Sequence, residues 1–232
     1  IVGVTRRAKF FIFELRKPRC RATFRVVGHL GMTGRVFLAP KRQPLPKHAA
    51  VVLDLGRENL IYEDTRYFGR LSLDTAPLAK LGPEPLGAEF TTDAFAKALK
   101  RSGQAIEVKL LDQTLVAGIG NIYASEALHR AGISPRRASR RLTAPEVARL
   151  RQALRKVLAE AIRFGSTVPL NFGADDSDGL FYYGRAANAP DYYEERLRIY
   201  DRAGQRCRRC GATIRRIVQA ARSTYFCPVC QR

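Results

Sequence analysis

The apolar residues divide the chain into a strand-rich part and a helix-rich part. Up to about residue 75 they form short runs with many aromatic and β-branched side chains: AKFFIFEL, RATFRVVGHL, AAVVLDL and NLIYED. Such runs are typical of strands, and the segment GREN predicts a hairpin turn between the last two. From Thr91 the apolar period becomes helical, in TTDAFAKALKRSG, AIEVKLLDQTLV and NIYASEALHRAG. We therefore predict an α+β protein in which antiparallel strands precede a helical part.

The longest helix is predicted from a capping box and an apolar stripe. Thr143 and Glu146 have the spacing of a capping box, which satisfies backbone N–H groups of the first turn. The apolar positions that follow recur at intervals of three and four residues: Val147, Leu150, Leu154, Val157, Leu158, Ala161 and Ile162. This spacing places them on one face of the helix, which we expect to pack into a core.

Composition predicts where the chain divides. Proline and glycine concentrate in APLAKLGPEPLGAEF, and the residues on either side of it differ in pattern. We predict a β-sandwich domain over residues 1–80, a linker over 81–90, a helical domain over 91–200 and a separate module over 201–232. Residues 166–193 have no clear period, and a loop of that length in a compact domain is usually functional or disordered.

The charge of the chain indicates a polyanionic partner. Lysine and arginine total 41 against 21 acidic residues, a net charge of +20. Nucleic acid is the first candidate because each neutralised phosphate releases counterions. A basic surface without a partner is one alternative; an anionic membrane is another, but it requires a basic amphipathic helix, and the sequence contains no convincing one. We also find no targeting segment and no run of the roughly 18 apolar residues that cross a membrane, so we expect a cytoplasmic, nucleoid-associated protein.

Four cysteines near the carboxyl terminus predict a metal site. They form two C-x2-C pairs, Cys207 with Cys210 and Cys227 with Cys230. Two such pairs hold one tetrahedral Zn²⁺ in zinc ribbons. The alternative of disulfides requires an oxidising compartment, for which the sequence gives no signal. We therefore predict one structural zinc, whose binding supplies the folding free energy of a module too small to bury a core.

The segment AGIGNIYASEAL predicts an anion site. Small residues precede a helix that starts at Asn121, and the N–H groups at a helix start attract anions. An ordinary turn between two helices has the same pattern. Separately, residues 202–232 contain eight arginines and no acidic residue, which predicts a concentrated anion-binding surface.

Several segments together resemble the formamidopyrimidine-DNA glycosylase family. They are RRAK, GHLGMTG, DTRYFGRL, LGPEPL, LLDQTLVAGIGNIYASEALHRAGISP and CRRCGATIRR with RSTYFCPVCQ, in that order. The resemblance implies an N-terminal β-sandwich, a helix-two-turn-helix domain and a β-hairpin zinc finger that grip damaged duplex DNA as a monomer. It implies base excision repair by a bifunctional glycosylase and apurinic-site lyase. Such an enzyme removes oxidised purines (8-oxoguanine and formamidopyrimidines) and cleaves the strand by β,δ-elimination.

The resemblance also implies roles for individual residues. The residues that fill the gap left by a flipped base correspond to Met32, Arg66 and Phe68. The contacts to phosphates around the lesion correspond to Lys9, His29, Asn121 and Arg222, and Lys9 also assists the active centre. His48 resembles a further basic contact. Without the motifs, core packing is the default expectation for Met32 and Phe68.

The sequence departs from the family pattern in three places. The family's nucleophilic N-terminal proline and the glutamate after it are not in the printed chain, which begins at Ile1 inside the first domain. We therefore expect the chain as written to be inactive, with a non-catalytic damaged-DNA-binding protein as the alternative. Glu107 stands where the family commonly has lysine, which leaves Lys109 as a possible substitute. The loop over residues 166–193 does not match the commonest pattern, so endonuclease VIII-like specificity for oxidised pyrimidines stays an alternative.

Overall fold

The computed structural model describes residues 1–17, 21–164 and 196–232. These form two compact units, one over residues 1–79 and one over residues 80–164 with 196–232. The loop predicted over residues 166–193 lies outside the described residues. Among the described helices, none combines the length and the apolar character needed to cross a membrane.

The first unit is built from seven antiparallel strands in two sheets. The four-stranded sheet has the order β1-β2-β3-β7, and the three-stranded sheet has the order β4-β6-β5. The strand bounds are β1 Gly3–Arg7, β2 Phe10–Arg16, β3 Thr23–His29, β4 Gly34–Pro40, β5 Ala49–Asp54, β6 Glu58–Asp64 and β7 Arg70–Ser72. The unit closes with a single helical turn, α1, at Ala76–Ala79. The predicted hairpin at GREN is present, since β5 and β6 pair antiparallel and the pair next to the turn is Asp54 with Asn59.

The two sheets of this unit face each other across an apolar interior. Phe11, Phe13 and Leu71 of the first sheet meet Val51 and Leu60 of the second. Alternate residues of a strand point to opposite faces, so each strand contributes every second side chain to this layer.

The first predicted strand is shorter than expected. AKFFIFEL was predicted as one strand, but Ala8 and Lys9 form a tight turn between β1 and β2, with Arg7 paired to Phe10. Ala8 has a φ of 53°, which takes the backbone out of the extended region. Lys9 is therefore exposed at a hairpin tip.

The second unit contains the helices that the periodicity predicts, but the one predicted in AIEVKLLDQTLV is helical only over Ile106–Leu110. Their bounds are α2 Thr92–Lys100, α3 Ile106–Leu110, α4 Asn121–Ala131 and α5 Ala144–Phe164, with a 3₁₀ turn at Ser139–Arg141. The Thr91 hydroxyl caps α2 by accepting from the Ala94 N–H at 3.2 Å. Glu146 forms its half of the predicted capping box, since its Oε2 accepts from the Thr143 N–H at 2.8 Å and also from the Thr143 hydroxyl at 2.9 Å. The helices share one core, which includes Leu99, Leu110, Leu128, Leu150 and Leu154, each at most 1% exposed.

One residue of the α5 stripe does not belong to the core. Val147, Leu150, Leu154, Val157 and Ala161 are buried as predicted, whereas the Ile162 side chain is 70% exposed. Ile162 follows Ala161 and is turned by roughly 100° around the helix, which places it outside the buried face.

Residues 81–90, predicted as a linker, pack onto the second unit. The Gly82 N–H donates to the Gln113 carbonyl at 2.8 Å, and the Ala117 N–H donates to the Pro83 carbonyl at 3.0 Å. Phe90 is 1% exposed and belongs to the helical core. The segment lacks regular structure, but its backbone is held by hydrogen bonds from the helical unit.

Candidate nucleic-acid interface and zinc site

The four predicted zinc ligands lie together at the end of the second unit. Their Sγ atoms are all within 4.8 Å of one another, with 3.4 Å between Cys210 and Cys227 and 3.9 Å between Cys207 and Cys230. Sulfur atoms about 2.3 Å from one zinc ion in a tetrahedron lie about 3.8 Å apart, so both donor set and spacing fit zinc. All four cysteines are free thiols, which argues against the disulfide alternative.

The metal site lies beside a hairpin that the sequence also predicted. Its strands are β8 Arg215–Gln219 and β9 Arg222–Phe226. The buried residues of this module are few: Ile199, Ile214 and Tyr225 pack with Cys207 and Cys227. A core of that size does not stabilise a module by itself, so bound zinc has to supply much of its folding free energy.

Buried polar side chains dock the zinc module onto the helices. Gln231 accepts from the Cys227 N–H and donates to the Ile133 carbonyl, each at 2.9 Å. On α4, Glu126 Oε1 accepts from three consecutive backbone N–H groups, those of residues 198–200, at 2.8–3.0 Å. Sequence reasoning missed both residues, because their partners are distant in the chain.

His129 is a second residue of α4 that the sequence analysis did not single out. Its Nε2 lies 3.5 Å from Cys207 Sγ, and the ring is buried. Burial and, to a smaller extent, the positive charges of Arg209 and other nearby arginines together lower the pKa of His129 to about 4. The ring is therefore neutral at physiological pH, and in its Nε2–H tautomer it donates to the Cys207 sulfur.

The start of α4 is held in place by one glutamine. Gln113 Nε2 donates to the carbonyls of Leu111 and Ile119, and its Oε1 accepts from the Gly118 N–H, all at 2.9–3.0 Å. Gly118 has a φ of 82°, a conformation that favours glycine. These contacts close the AGIG turn and fix the direction of the N–H groups at the start of α4.

Asn121 and Arg222 are brought together by this geometry. Asn121 Nδ2 donates to the Ser223 carbonyl at 2.7 Å, so the first residue of α4 is bonded next to Arg222 on β9. Arg222 itself is exposed and follows a turn in which Ala220 and Ala221 have φ values of 46° and 59°. The helix start and the arginine thus form one surface of the second unit, which we call the clamp surface.

Glu107 lies beneath the clamp surface. Its Oε1 accepts from the Ser125 hydroxyl at 2.8 Å, its side chain is 1% exposed, and Oε2 has no hydrogen-bond partner among the described residues. Burial raises the pKa of Glu107 to about 7, although hydrogen bonds from Ser125 and Thr224 oppose the change. Lys109 forms an ion pair with Asp112 at 2.7 Å.

In the first unit, Lys9 and His29 are electrostatic neighbours. The Nδ1 atom of His29 accepts from the Gly31 N–H at 3.0 Å, and its ring packs edge-on against Phe10. Burial lowers the pKa of His29, and the positive charges of Lys9 and Arg70 lower it further. A neutral ring that accepts at Nδ1 carries its proton on Nε2, which is then a hydrogen-bond donor.

The three residues implied to fill a base gap are exposed. Met32 and Phe68 are 66% and 56% exposed, and the Arg66 guanidinium lies 5.7 Å from the Phe68 ring centroid. Core packing, the default expectation for Met32 and Phe68, is wrong. His48 is half-buried in the segment before β5, and its carbonyl accepts from the Asp64 N–H at 3.1 Å.

A two-sheet unit, a helical unit with a charged clamp surface and a docked four-cysteine finger are typical of a nucleic-acid-binding protein with structural zinc. The sequence matches three domain families. Residues 1–71 match the formamidopyrimidine-DNA glycosylase N-terminal domain, and residues 81–170 match the formamidopyrimidine-DNA glycosylase H2TH domain. Residues 204–232 match the zinc finger found in FPG and IleRS.

Curated relatives match over the full length of the chain. The formamidopyrimidine-DNA glycosylase of Herpetosiphon aurantiacus is 43% identical over 238 residues, covering 100% of this chain and 81% of the relative. That of Thermus thermophilus is 40% identical, covering 100% of this chain and 82% of the relative. The chain belongs to the formamidopyrimidine-DNA glycosylase family.

Solved structures agree with this assignment. A complex of the Lactococcus lactis Fpg with abasic-site DNA has a TM-score of 0.83 at 34% identity, covering 99% of this chain and 81% of that one. A complex of the L. lactis protein with Fapy-dG DNA has a TM-score of 0.82 at 33% identity, with the same coverage. The fold class is confirmed, and the four cysteines are the ligands of one structural zinc.

Proposed function

We propose that this protein is a base-excision-repair DNA glycosylase that removes oxidised purines from duplex DNA and cleaves the strand at the abasic site. The observation that carries the proposal is the exposure of Met32 and Phe68 beside Arg66. Large apolar side chains stabilise a fold only when buried, whereas on DNA they can wedge between bases and compensate for an extruded nucleotide. A guanidinium can hydrogen-bond the base that loses its partner.

The substrate class is supported by the relatives. The solved L. lactis complexes contain abasic-site DNA and Fapy-dG DNA, and a MutM complex contains a carbocyclic 8-oxo-G. Oxidised purines are therefore the class of lesion that this chain is proposed to excise. Since its substrate is genomic DNA, we place the protein in the cytoplasm at the nucleoid, acting as a monomer.

The clamp surface is proposed to hold the phosphates around the lesion. Asn121 and the N–H groups at the start of α4 form a neutral anion site, and Arg222 adds a charge beside it. In the first unit, the Nε2–H of His29 donates to a phosphate and Lys9 supplies a charge. Neutral donors of this kind position the DNA backbone, and the arginines of the zinc module supply the long-range attraction.

The covalent chemistry is proposed by family membership. In this family an N-terminal proline amine is the nucleophile and the following glutamate serves in acid–base catalysis; these two residues are not among the 232 of this chain. A neutral α-amino group is reactive near physiological pH because its pKa is about 8. Lys9 is assigned a supporting role at that centre, and strand cleavage is assigned to β,δ-elimination.

The proposal is tested on the full-length gene product. It is expected to release the base from a duplex with 8-oxoguanine opposite cytosine, nick that strand and form a borohydride-trapped adduct. A matched duplex with an oxidised pyrimidine is the comparison. Faster excision of the pyrimidine would instead assign the specificity of endonuclease VIII. Binding of damaged duplex without excision or adduct would make the protein a non-catalytic damage-binding protein.

Replacing Arg222 with alanine is expected to weaken DNA binding about tenfold without unfolding the protein. The side chain is exposed, so its removal leaves the packing of β9 intact. The loss of one phosphate contact reduces the slope of log affinity against log salt by about 0.9. Fluorescence anisotropy over a salt series measures both quantities.

The matched control for that experiment is Arg101→Ala. Arg101 is an exposed arginine at the end of α2, so the variant removes the same charge at a site outside the clamp surface. Equal weakening by the two variants would show that Arg222 contributes only bulk charge and would contradict the clamp assignment.

A further inference from the structure

Asp64 lies at the junction of the two loops that carry the exposed residues Met32, Arg66 and Phe68. The residue is 1% exposed. Burial raises the pKa of Asp64, but hydrogen bonds from Thr33, Gly69, Arg66 and Tyr62 together hold it below its usual value. The group is therefore a buried anion surrounded by hydrogen-bond donors. Burying a charge costs free energy unless such donors surround it, and the donors fix its position.

The donors to Asp64 come from both loops. The Thr33 hydroxyl donates to Oδ1 at 2.5 Å from the residue next to Met32. The Gly69 N–H donates to Oδ2 at 2.7 Å and the Arg66 N–H to Oδ1 at 3.3 Å. One carboxylate thus joins the loop over residues 30–33 to the loop over residues 64–69.

Backbone packing brings the same two loops into contact. Gly31 has a φ of 64°, and a Cβ atom there would lie 2.7 Å from the Phe68 carbonyl carbon and 2.8 Å from the Gly69 nitrogen. Such distances are too short for any side chain, so the close approach requires glycine. Thr33 is 7% exposed, which shields its bond to Asp64 from water.

We propose that Thr33 and Asp64 are positioning residues for base extrusion, because their hydrogen bond fixes Met32 in register with Arg66 and Phe68. This inference rests on the proposed function. Side chains that enter a base stack have to keep their relative positions while they displace the stacked bases. Two loops without a connection between them would move independently. Both residues are buried, so they act through the exposed residues beside them.

The test compares Thr33→Val with Thr33→Ser in the full-length protein. Valine keeps the shape and loses the hydroxyl, whereas serine keeps the hydroxyl. We expect Thr33→Val to lower kcat/KM for 8-oxoguanine excision about tenfold, in the range expected for losing a hydrogen bond to a charged group. Cleavage of a duplex that already holds an abasic site should change less than about twofold, because no base has to be extruded. Thr33→Ser should restore most of the excision.

Two further variants distinguish two explanations: that the Thr33 bond matters because it connects the loops, or that it matters because it stabilises the Asp64 carboxylate. Tyr62→Phe removes a donor to the same carboxylate, at 3.3 Å, from within β6 rather than from the other loop. We expect it to affect excision less than Thr33→Val does. Gly31→Ala separates the loops sterically and should reproduce the selective loss of excision over abasic-site cleavage.

The outcomes distinguish this inference from the function on which it rests. Equal loss of both reactions in Thr33→Val, or equal loss in Tyr62→Phe, would overturn the positioning role. A wild-type protein that excises nothing would overturn the proposed function instead. In that case, amide hydrogen exchange at Gly31 and Gly69, measured without DNA, still tests whether the Thr33–Asp64 hydrogen bond connects the two loops. Faster exchange in Thr33→Val supports the connection, and unchanged exchange overturns it.

Discussion

Replacing Cys227 with serine is expected to unfold the zinc finger while the helical core stays folded. Cys227 is fully buried, and the module around it contains few other buried residues. Structural zinc sites contribute on the order of 10–16 kcal/mol to the folding of such modules, and loss of one thiolate removes most of that. We expect bound zinc to fall from one ion per chain to near zero. DNA affinity should fall roughly a hundredfold, because the clamp arginine and its neighbours lose their positions.

The measurement is zinc content together with circular dichroism and DNA anisotropy. Prolonged chelation of the wild-type protein should reproduce the variant, and added Zn²⁺ should rescue the chelated wild type but not the variant. Cys20→Ser, the same substitution at the fifth cysteine of the chain, is the matched control and should keep one zinc. A Cys227→Ser protein that keeps both its zinc and its DNA affinity would show that the site is not structural.

Features with a local signal were predictable from the sequence. The start of α4 at Asn121 follows from the small residues before it, and Gly132 ends it with a φ of 71°. The capping box at Thr143 is a four-residue pattern, and its bond from the Thr143 N–H to Glu146 is present. The zinc ligands are fixed by their spacing, since each C-x2-C pair already brings two sulfur atoms close.

Features that depend on distant partners were not predictable. Proline and glycine in residues 81–90 indicate irregular backbone but not whether it is packed. Arg155, far along the chain on α5, donates to the carbonyls of Pro85 and Gly87 at 2.8 and 3.2 Å. Asp64 gave no local sign of its bond to Thr33, because the two residues are 31 positions apart and meet only in the folded sheets.

Exposure was the hardest property to predict from pattern alone. Met32 and Phe68 are apolar, and only the family resemblance opposed the expectation that they pack inside. Ile162 was assigned to the buried face of α5 because periodicity alone does not show where the edge of that face lies. Glu107 presents the converse case, since no pattern in the sequence indicates that its carboxyl group is buried against Ser125.

Glu107 is expected to make the second unit less stable as the pH rises from about 4.5 to about 7. The folded protein holds the proton of this buried carboxyl up to a pKa of about 7, whereas the unfolded chain releases it near the ordinary value of 4.5. The stabilising difference is complete below the unfolded pKa and is lost as the pH rises through the folded one. Because a tenfold difference in proton affinity corresponds to roughly 1.4 kcal/mol, the free energy of unfolding falls by roughly 3 kcal/mol over this interval.

Glu107→Gln is expected to remove this fall, because a neutral amide keeps the shape and can still accept from Ser125. Above pH 7 the variant should therefore unfold at a higher temperature than the wild type, and the two should converge near pH 4.5. Differential scanning calorimetry from pH 4.5 to 8 measures the transition of the second unit directly. Glu89→Gln removes an exposed carboxyl of the same unit and should follow the wild-type curve. A Glu107→Gln curve parallel to the wild-type curve at every pH would show that the buried carboxyl does not titrate in this range.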